Sequence, residues 1–195
     1  AQVARDIAVL HRLRIGTVVV HGGGPQLDEV TAELGLNVER VAGRRITSPE
    51  VLRAAKMVFR GQLSLDMVSA LAREGERAIG LSGVDAKIVV AVRRPETVIT
   101  DDEGRTHHVD FGEVGDVVKV HTKLLKSVLK GGAIPVISPL GTNDKGCIFN
   151  VNADTVAAEI AVAMGAQKLL LLTRAPGILS DSEDPTSLLH WADLA

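Results

Sequence analysis

Thr17-Val18-Val19-Val20-His21-Gly22-Gly23-Gly24-Pro25 is the stretch on which the fold turns. Its first four residues read as a short strand buried on both faces. Three successive glycines follow, and then Leu27, Val30 and Leu34 recur at helical spacing until Gly35 closes the segment. Glycines in a row cost conformational entropy and pack nothing. Their use is to let backbone N–H groups approach a ligand at a helix N-terminus, where anions are favoured. The plain alternative is a tight strand-to-helix turn that binds nothing, with His21 capping or packing beside it.

Outward from this unit the same alternation continues. Before it, Val3, Ile7 and Leu10 mark a helix that ends by Gly16. After it, Val51, Ala54 and Val58 mark a third helix started by Ser48-Pro49-Glu50, and Leu63, Met67 and Leu71 a fourth. Ala78 to Leu81 reads as a strand. Lys87 to Val92 and Thr97 to Thr100 resemble a meander whose turn is Asp101 to Gly104. A helix around Leu124 to Leu129, a strand at Ile134 to Ile137, a helix from Asp154 to Met164 and a buried strand at Lys168 to Thr173 complete the pattern, and Ser180 to Thr186 is a polar loop. Such alternation implies a three-layer α/β/α sandwich with a mainly parallel central sheet and an antiparallel β-hairpin insert. A first helix with no strand before it and a last loop with no unit after it suggest a chain incomplete at both ends.

The 195 residues are 46% hydrophobic, enough for a core of their own. A net charge of -2 with interspersed signs gives no reason to expect nucleic acid or a membrane surface as partner, and 2% aromatics offer no base-stacking platform. A small molecule is the expected partner. One cysteine, Cys147, allows no internal disulfide, and no signal-peptide pattern opens the chain, which favours the cytoplasm. The longest apolar run, around Leu169 to Leu172, is far short of the roughly 20 residues of a membrane helix.

Several stretches bear on chemistry. HGGG also occurs in esterase oxyanion holes, but the G-x-S-x-G elbow that reading needs ends in Val84 here, after Gly80-Leu81-Ser82-Gly83. The glycine turn also lacks the last glycine of G-x-G-x-x-G, so a dinucleotide-binding Rossmann site is not indicated. Asn150-Val151-Asn152-Ala153-Asp154 lies just before a helix. In an extended entry Asn150, Asn152 and Asp154 point the same way, and capping requires only one of the three. Arg45, in Gly43-Arg44-Arg45-Ile46-Thr47, carries a fork suited to a carboxylate, although a solvated surface pair would look the same. The run Leu170 to Leu179 reads as a buried strand entering a Pro-Gly loop, which by itself could be only a turn.

Taken in order, HGGGP, Gly43 to Thr47, Gly80 to Asp85, Gly131 to Pro139, NVNAD and LLLLT-x-x-PG-I-L resemble the amino-acid kinase family, and within it the branch that phosphorylates N-acetyl-L-glutamate. The likeness runs from about residue 2 to residue 179. It implies phosphoryl transfer from ATP, with Mg²⁺ carried by the nucleotide, to the γ-carboxylate of that substrate, an early step of arginine biosynthesis, and a homo-oligomer (dimer or hexamer). By the resemblance Gly23 and Gly24 contact the substrate and the transferred phosphoryl, Arg45 the substrate carboxylate, and Asn150 with Asn152 the substrate. Asp154 orients catalytic lysines, and Thr173, Arg174, Gly177, Ile178 and Leu179 line the nucleotide site. Residues 1–195 would then be the substrate-binding part of a kinase domain plus the start of its ATP-binding part.

The family's first-strand lysine and its late lysine have no counterpart in these residues, so no catalytic lysine is assigned and this piece alone is expected to be inactive. Ser64-Leu65 stands where the family has Asn-Lys, and Arg174 where it has Asp. Two rivals stay open: a kinase for N-acetylaminoadipate, one methylene longer, and a non-catalytic domain that senses an amino acid and regulates a partner enzyme.

Overall fold

The computed structural model describes residues 2–41, 43–100, 104–173, 177–181, 184 and 186–189. Helix α1 (Gln2–Arg12) leads to strand β1 (Val19–Val20), and the glycine turn opens helix α2 (Gly24–Glu33). An antiparallel pair, β2 (Arg40–Val41) and β3 (Arg44–Arg45), precedes helix α3 (Pro49–Ala55). That helix runs on through a π-helical segment (Lys56–Leu63) into α4 (Ser64–Arg73). Next come β4 (Ala78–Ser82), a 3₁₀ turn (Asp85–Lys87), β5 (Val89–Arg93), β6 (Thr97–Thr100), β7 (Thr106–Val109) and β8 (Gly115–Val120). Helix α5 (Lys123–Lys130), β9 (Ile134–Ser138), β10 (Leu140–Thr142), β11 (Ile148–Asn150) and α6 (Ala153–Met164) follow.

The period-2 alternation of the strands builds the layers. Strands β1, β9 and β4 lie in that order and are parallel. On one face Val19, Ile134 and Val136 pack with Ala4 and Ile7 of α1 and Met67, Val68 and Leu71 of α4. On the other, Val18, Val20, Leu81 and Ile137 meet Leu125 of α5 and Val156 and Ile160 of α6. Each fully buried Ile or Val contributes about 1.5–3 kcal/mol, so a sheet covered on both sides is the stable arrangement for such runs. Glu76, just past α4, binds His11 Nδ1 at 2.5 Å and Arg12 Nε at 2.9 Å and ties α1 to the approach to β4. A second sheet, ordered β11-β10-β5-β8, is parallel only between β10 and β5. The expected sandwich with its hairpin insert is therefore present.

Four local expectations differ. The segment at 17–20 is half-buried rather than buried on both faces, because β1 is an edge whose one partner among the described strands is β9. The third and fourth helices are continuous. In the middle of the chain β5 pairs with β8 and β10, and the hairpin joins β6 to β7, so 87–92 and 97–100 are not consecutive strands of a meander. Local alternation cannot say which partner a strand chooses. The run at 168–173 forms no described strand, and Leu169, Leu170, Leu171 and Leu172 are 44%, 70%, 52% and 76% exposed. Apolarity marks a strand as buried only where a neighbouring strand completes its ladder, and no described strand lies beside this one. Among the described residues no helix is long and apolar enough to cross a membrane.

Candidate functional site

Strands β1, β9 and β4 end on the same edge of their sheet, the edge at which open parallel sheets bind ligands. The glycine turn sits there. His21 N–H donates to Ile137 O (3.1 Å) and closes β1 onto β9, while Gly23 caps α2 with no side-chain hydrogen bond. The first amides of α2 are therefore left to a ligand or to water, and the helix dipole adds positive potential there. The three glycines divide their work. A Cβ on Gly23 would stand 2.3 Å from Leu63 Cδ1 and 2.9 Å from Phe59 Cδ1, so this glycine admits the π-helical segment. The expectation that the turn packs nothing is wrong at that position. A Cβ on Gly24 would meet nothing within 4 Å, so that face of its backbone is open to an incoming group.

His21 bonds the Gly22 carbonyl through Nδ1 (2.8 Å), and its Nε2 is buried without a partner. Burial lowers its pKa against the opposing pull of the Gly22 carbonyl, so the ring stays neutral near pH 7. It lines a cavity of about 440 Å³ between α1, α4 and the turn, together with Gly22, Gly23, Leu63, Asp66 and Met67.

Arg45 reaches the turn from β3. Its side chain is 10% exposed; Nη2 donates to Gly24 O (3.1 Å) and to Asp28 Oδ1 (2.5 Å), and Nε is buried with no partner. A buried donor without an acceptor costs roughly 1–3 kcal/mol, which a bound carboxylate would relieve. Arg40 donates to both oxygens of Asp28 at 2.8 and 2.7 Å. Burial works against ionising Asp28, but the two arginines outweigh it and hold the carboxyl below its ordinary range.

Asn150 joins the same place through Thr47, whose side chain is buried two residues beyond Arg45. Asn150 Nδ2 donates to Thr47 Oγ1 (3.2 Å), Thr47 N–H to Phe111 O (2.9 Å), Glu113 N–H to Thr47 O (2.7 Å), and Asn150 N–H to Glu113 O (2.9 Å). The strand carrying Arg45 and the strand carrying Asn150 are thereby locked through residues 111–113. Ala153 closes the ring, its Cβ lying 3.8 Å from the position a Cβ on Gly22 would take. Asn152 is the cap of α6, its Oδ1 accepting from Thr155 N–H (2.8 Å) and Thr155 Oγ1 (3.2 Å). Asn152→Ala is expected to destabilise the fold by about 1 kcal/mol in urea denaturation, the usual weight of such a cap. Asp154 is exposed in the first turn of the same helix.

The glycine turn, Arg45 and Asn150 are thus brought together; the late segment is not. Arg174 lies outside the described residues. Thr173, Gly177 and Ile178 are exposed, and Leu179 pairs with Leu188 across a short loop, without a described hydrogen bond to the turn. Ser82 is buried, with Oγ donating to Asp85 Oδ2 (2.8 Å) and no histidine bonded to it among the described residues, which speaks against the hydrolase reading. Asp28, Arg40 and Thr47 were not singled out from the sequence. Asp28 lies one helical turn from Gly24 and Thr47 two strand residues from Arg45, so face-sharing was the available signal.

The ring lies at the carboxyl edge of a parallel sheet, against a helix N-terminus, as in an α/β protein whose sheet edge carries its polar groups. The family model described as "Amino acid kinase family" matches residues 1–190, and the chain belongs to that family. It is 47% identical over 192 residues to the acetylglutamate kinase of Myxococcus xanthus, covering 97% of this chain and 62% of that one. With the acetylglutamate kinase of Methanocaldococcus jannaschii it shares 41% identity over 185 residues, 95% of this chain and 61% of the relative. The chain thus spans about three-fifths of the length of these curated relatives. Among solved structures it resembles N-acetylglutamate synthase from Neisseria gonorrhoeae complexed with coenzyme A and N-acetyl-glutamate. The TM-score is 0.71 at 30% identity, over 92% of this chain and 39% of that one.

Proposed function

We propose that this chain carries the acyl-amino-acid site of a kinase that moves the γ-phosphoryl of ATP onto the γ-carboxylate of N-acetyl-L-glutamate, in the cytoplasm and as an early step of arginine biosynthesis. The observation that carries the reading is the ring itself: a helix N-terminus with an open glycine, an arginine with a buried unpartnered Nε, and an asparagine locked beside it. The relatives named acetylglutamate kinase support the same substrate, as does the N-acetyl-glutamate complex of the synthase.

The chemistry suits these groups. A carboxylate with an ordinary pKa of about 4.3 is already ionised at pH 7, so no general base is needed and the barrier lies in bringing two anions together. Donors and positioning matter more. Gly23 and Gly24 would offer backbone N–H groups to the γ-carboxylate and the moving phosphoryl, Arg45 would take the other carboxylate, and Asn150 would face the acetamido end. Asn152 would keep the entry of α6 in place, and Asp154 would orient cationic groups supplied elsewhere in the protein. Thr173, Arg174, Gly177, Ile178 and Leu179 remain the proposed nucleotide segment. Mg²⁺ would arrive with the ATP phosphates and screen their charge. Among the described residues no three His, Cys, Asp or Glu side chains converge to hold it. A homo-oligomer belongs to the same reading.

Hydroxylamine trapping in the full-length protein tests it. With Mg-ATP and N-acetylglutamate an acyl hydroxamate and ADP are expected in equal amounts, with a weaker signal from N-acetylaminoadipate. A stronger signal from the longer substrate would reassign the specificity. Binding of N-acetylglutamate with no hydroxamate would leave an amino-acid-sensing regulatory domain instead.

A further inference from the structure

We propose that Asp28 is a positioning residue that sets the plane of the Arg45 guanidinium so that its Nε–H meets the α-carboxylate of the substrate; this rests on the function proposed above. With the γ-carboxylate at the glycine turn, the α-carboxylate is the one left for Arg45. A long arginine side chain has many rotamers, and a planar guanidinium aims a given N–H at a carboxylate only if its plane is held in one orientation. Here one nitrogen is pinned at two points. Nη2 donates both to Gly24 O and to Asp28 Oδ1, groups one turn apart on the same face of α2. Because the fork is planar and rigid, fixing Nη2 in two directions fixes where Nε points, and Nε is the buried donor without a partner.

Asp28 is itself held from the outer side. Arg40 binds both of its oxygens, so the carboxylate cannot turn away from Arg45 without breaking that fork as well. The two arginines and one carboxylate leave one net positive charge, which one bound carboxylate neutralises. A surface ion pair would have both members solvated. This pair has Arg45 almost fully enclosed while Asp28 is 43% exposed, so the acid is the adjustable outer member and the arginine the fixed inner one. Asp28 and Gly24 O both engage Nη2 and leave the adjacent Nε–H without an acceptor, so that one donor is kept for an incoming carboxylate.

The test uses the isosteric variant Asp28→Asn, alone and combined with Arg45→Lys, in the full-length protein. Calorimetric Kd for N-acetylglutamate is measured beside kcat and the melting temperature. Asp28→Asn is expected to raise Kd about 10-fold, the scale of one charge-assisted hydrogen bond. Affinity for ATP, kcat and the melting temperature should stay close to wild type. In the Arg45→Lys background the same change should add little, because its effect travels through the arginine. An unchanged Kd in Asp28→Asn, or the same increase in both backgrounds, overturns the role of Asp28 while leaving the proposed function intact. Failure of the wild-type protein to bind N-acetylglutamate overturns both.

Discussion

Replacing Arg45 by alanine is expected to lower kcat/KM for N-acetylglutamate by about 10²–10³-fold, the cost of truncating one partner of a buried, hydrogen-bonded charge pair. The loss should fall mainly on KM, because the α-carboxylate carries the same charge in ground and transition states and its binding is uniform between them. The side chain is enclosed, and its Nη2 already holds Gly24 O and Asp28. Truncation would therefore also release the turn carbonyl and leave Asp28 to Arg40 alone. Arg45→Lys keeps the charge but not the planar fork and should fall between wild type and alanine. Steady-state kinetics on the full-length protein check this; an Arg45→Ala variant with unchanged KM would remove the arginine from the site.

Gly112→Ala should be the most damaging small substitution near the site, lowering stability by roughly 3 kcal/mol. That figure joins the cost of a left-handed residue with a Cβ to the partial loss of a backbone clamp. Gly112 has φ +69°, and its Cβ would lie 2.3 Å from the carbonyl oxygen of Thr47. That carbonyl accepts from Glu113 N–H, while Thr47 Oγ1 accepts from Asn150, so the strand cannot yield without disturbing both. Gly35→Ala is the matched control, since Gly35 has φ +67° but nothing within 4 Å of its Cβ position. It should show the backbone term alone, about 1–2 kcal/mol. Urea denaturation of the two variants separates strain from collision, and equal losses would contradict the clamp.

Much of the architecture was legible because it depends on neighbours in sequence. The short apolar run at 134–137 and the helical segment at 154–164 give β9 and α6 closely, and the glycine turn marks the junction of β1 and α2. What depends on distant partners was not legible. Nothing local tells β5 to pair with β8 rather than β6, or leaves Leu169 to Leu172 without a described strand beside them. The π-helical segment is likewise invisible to a 3.6-residue pattern, yet it brings Phe59 and Leu63 against Gly23.

The candidate site divides in the same way. Gly24, Arg45 and Asn150 stood out because their residue types are suited to anions and amides. Asn152 stood out equally, and its side chain is occupied in the cap of α6. Asp28 and Thr47 have unremarkable local contexts. Their contacts are to Arg45, 17 residues away, and to Asn150, 103 residues away, and only the folded chain brings these together.

The most direct measurement is a crystal structure of the full-length protein with N-acetylglutamate and a non-hydrolysable ATP analogue. The expected result places one carboxylate at about 3 Å from the Gly24 N–H and the other at hydrogen-bonding distance from Arg45 Nε, with Asp28 still on Nη2. A ligand bound elsewhere, or one bound at the turn with Arg45 Nε still without an acceptor, would contradict the account.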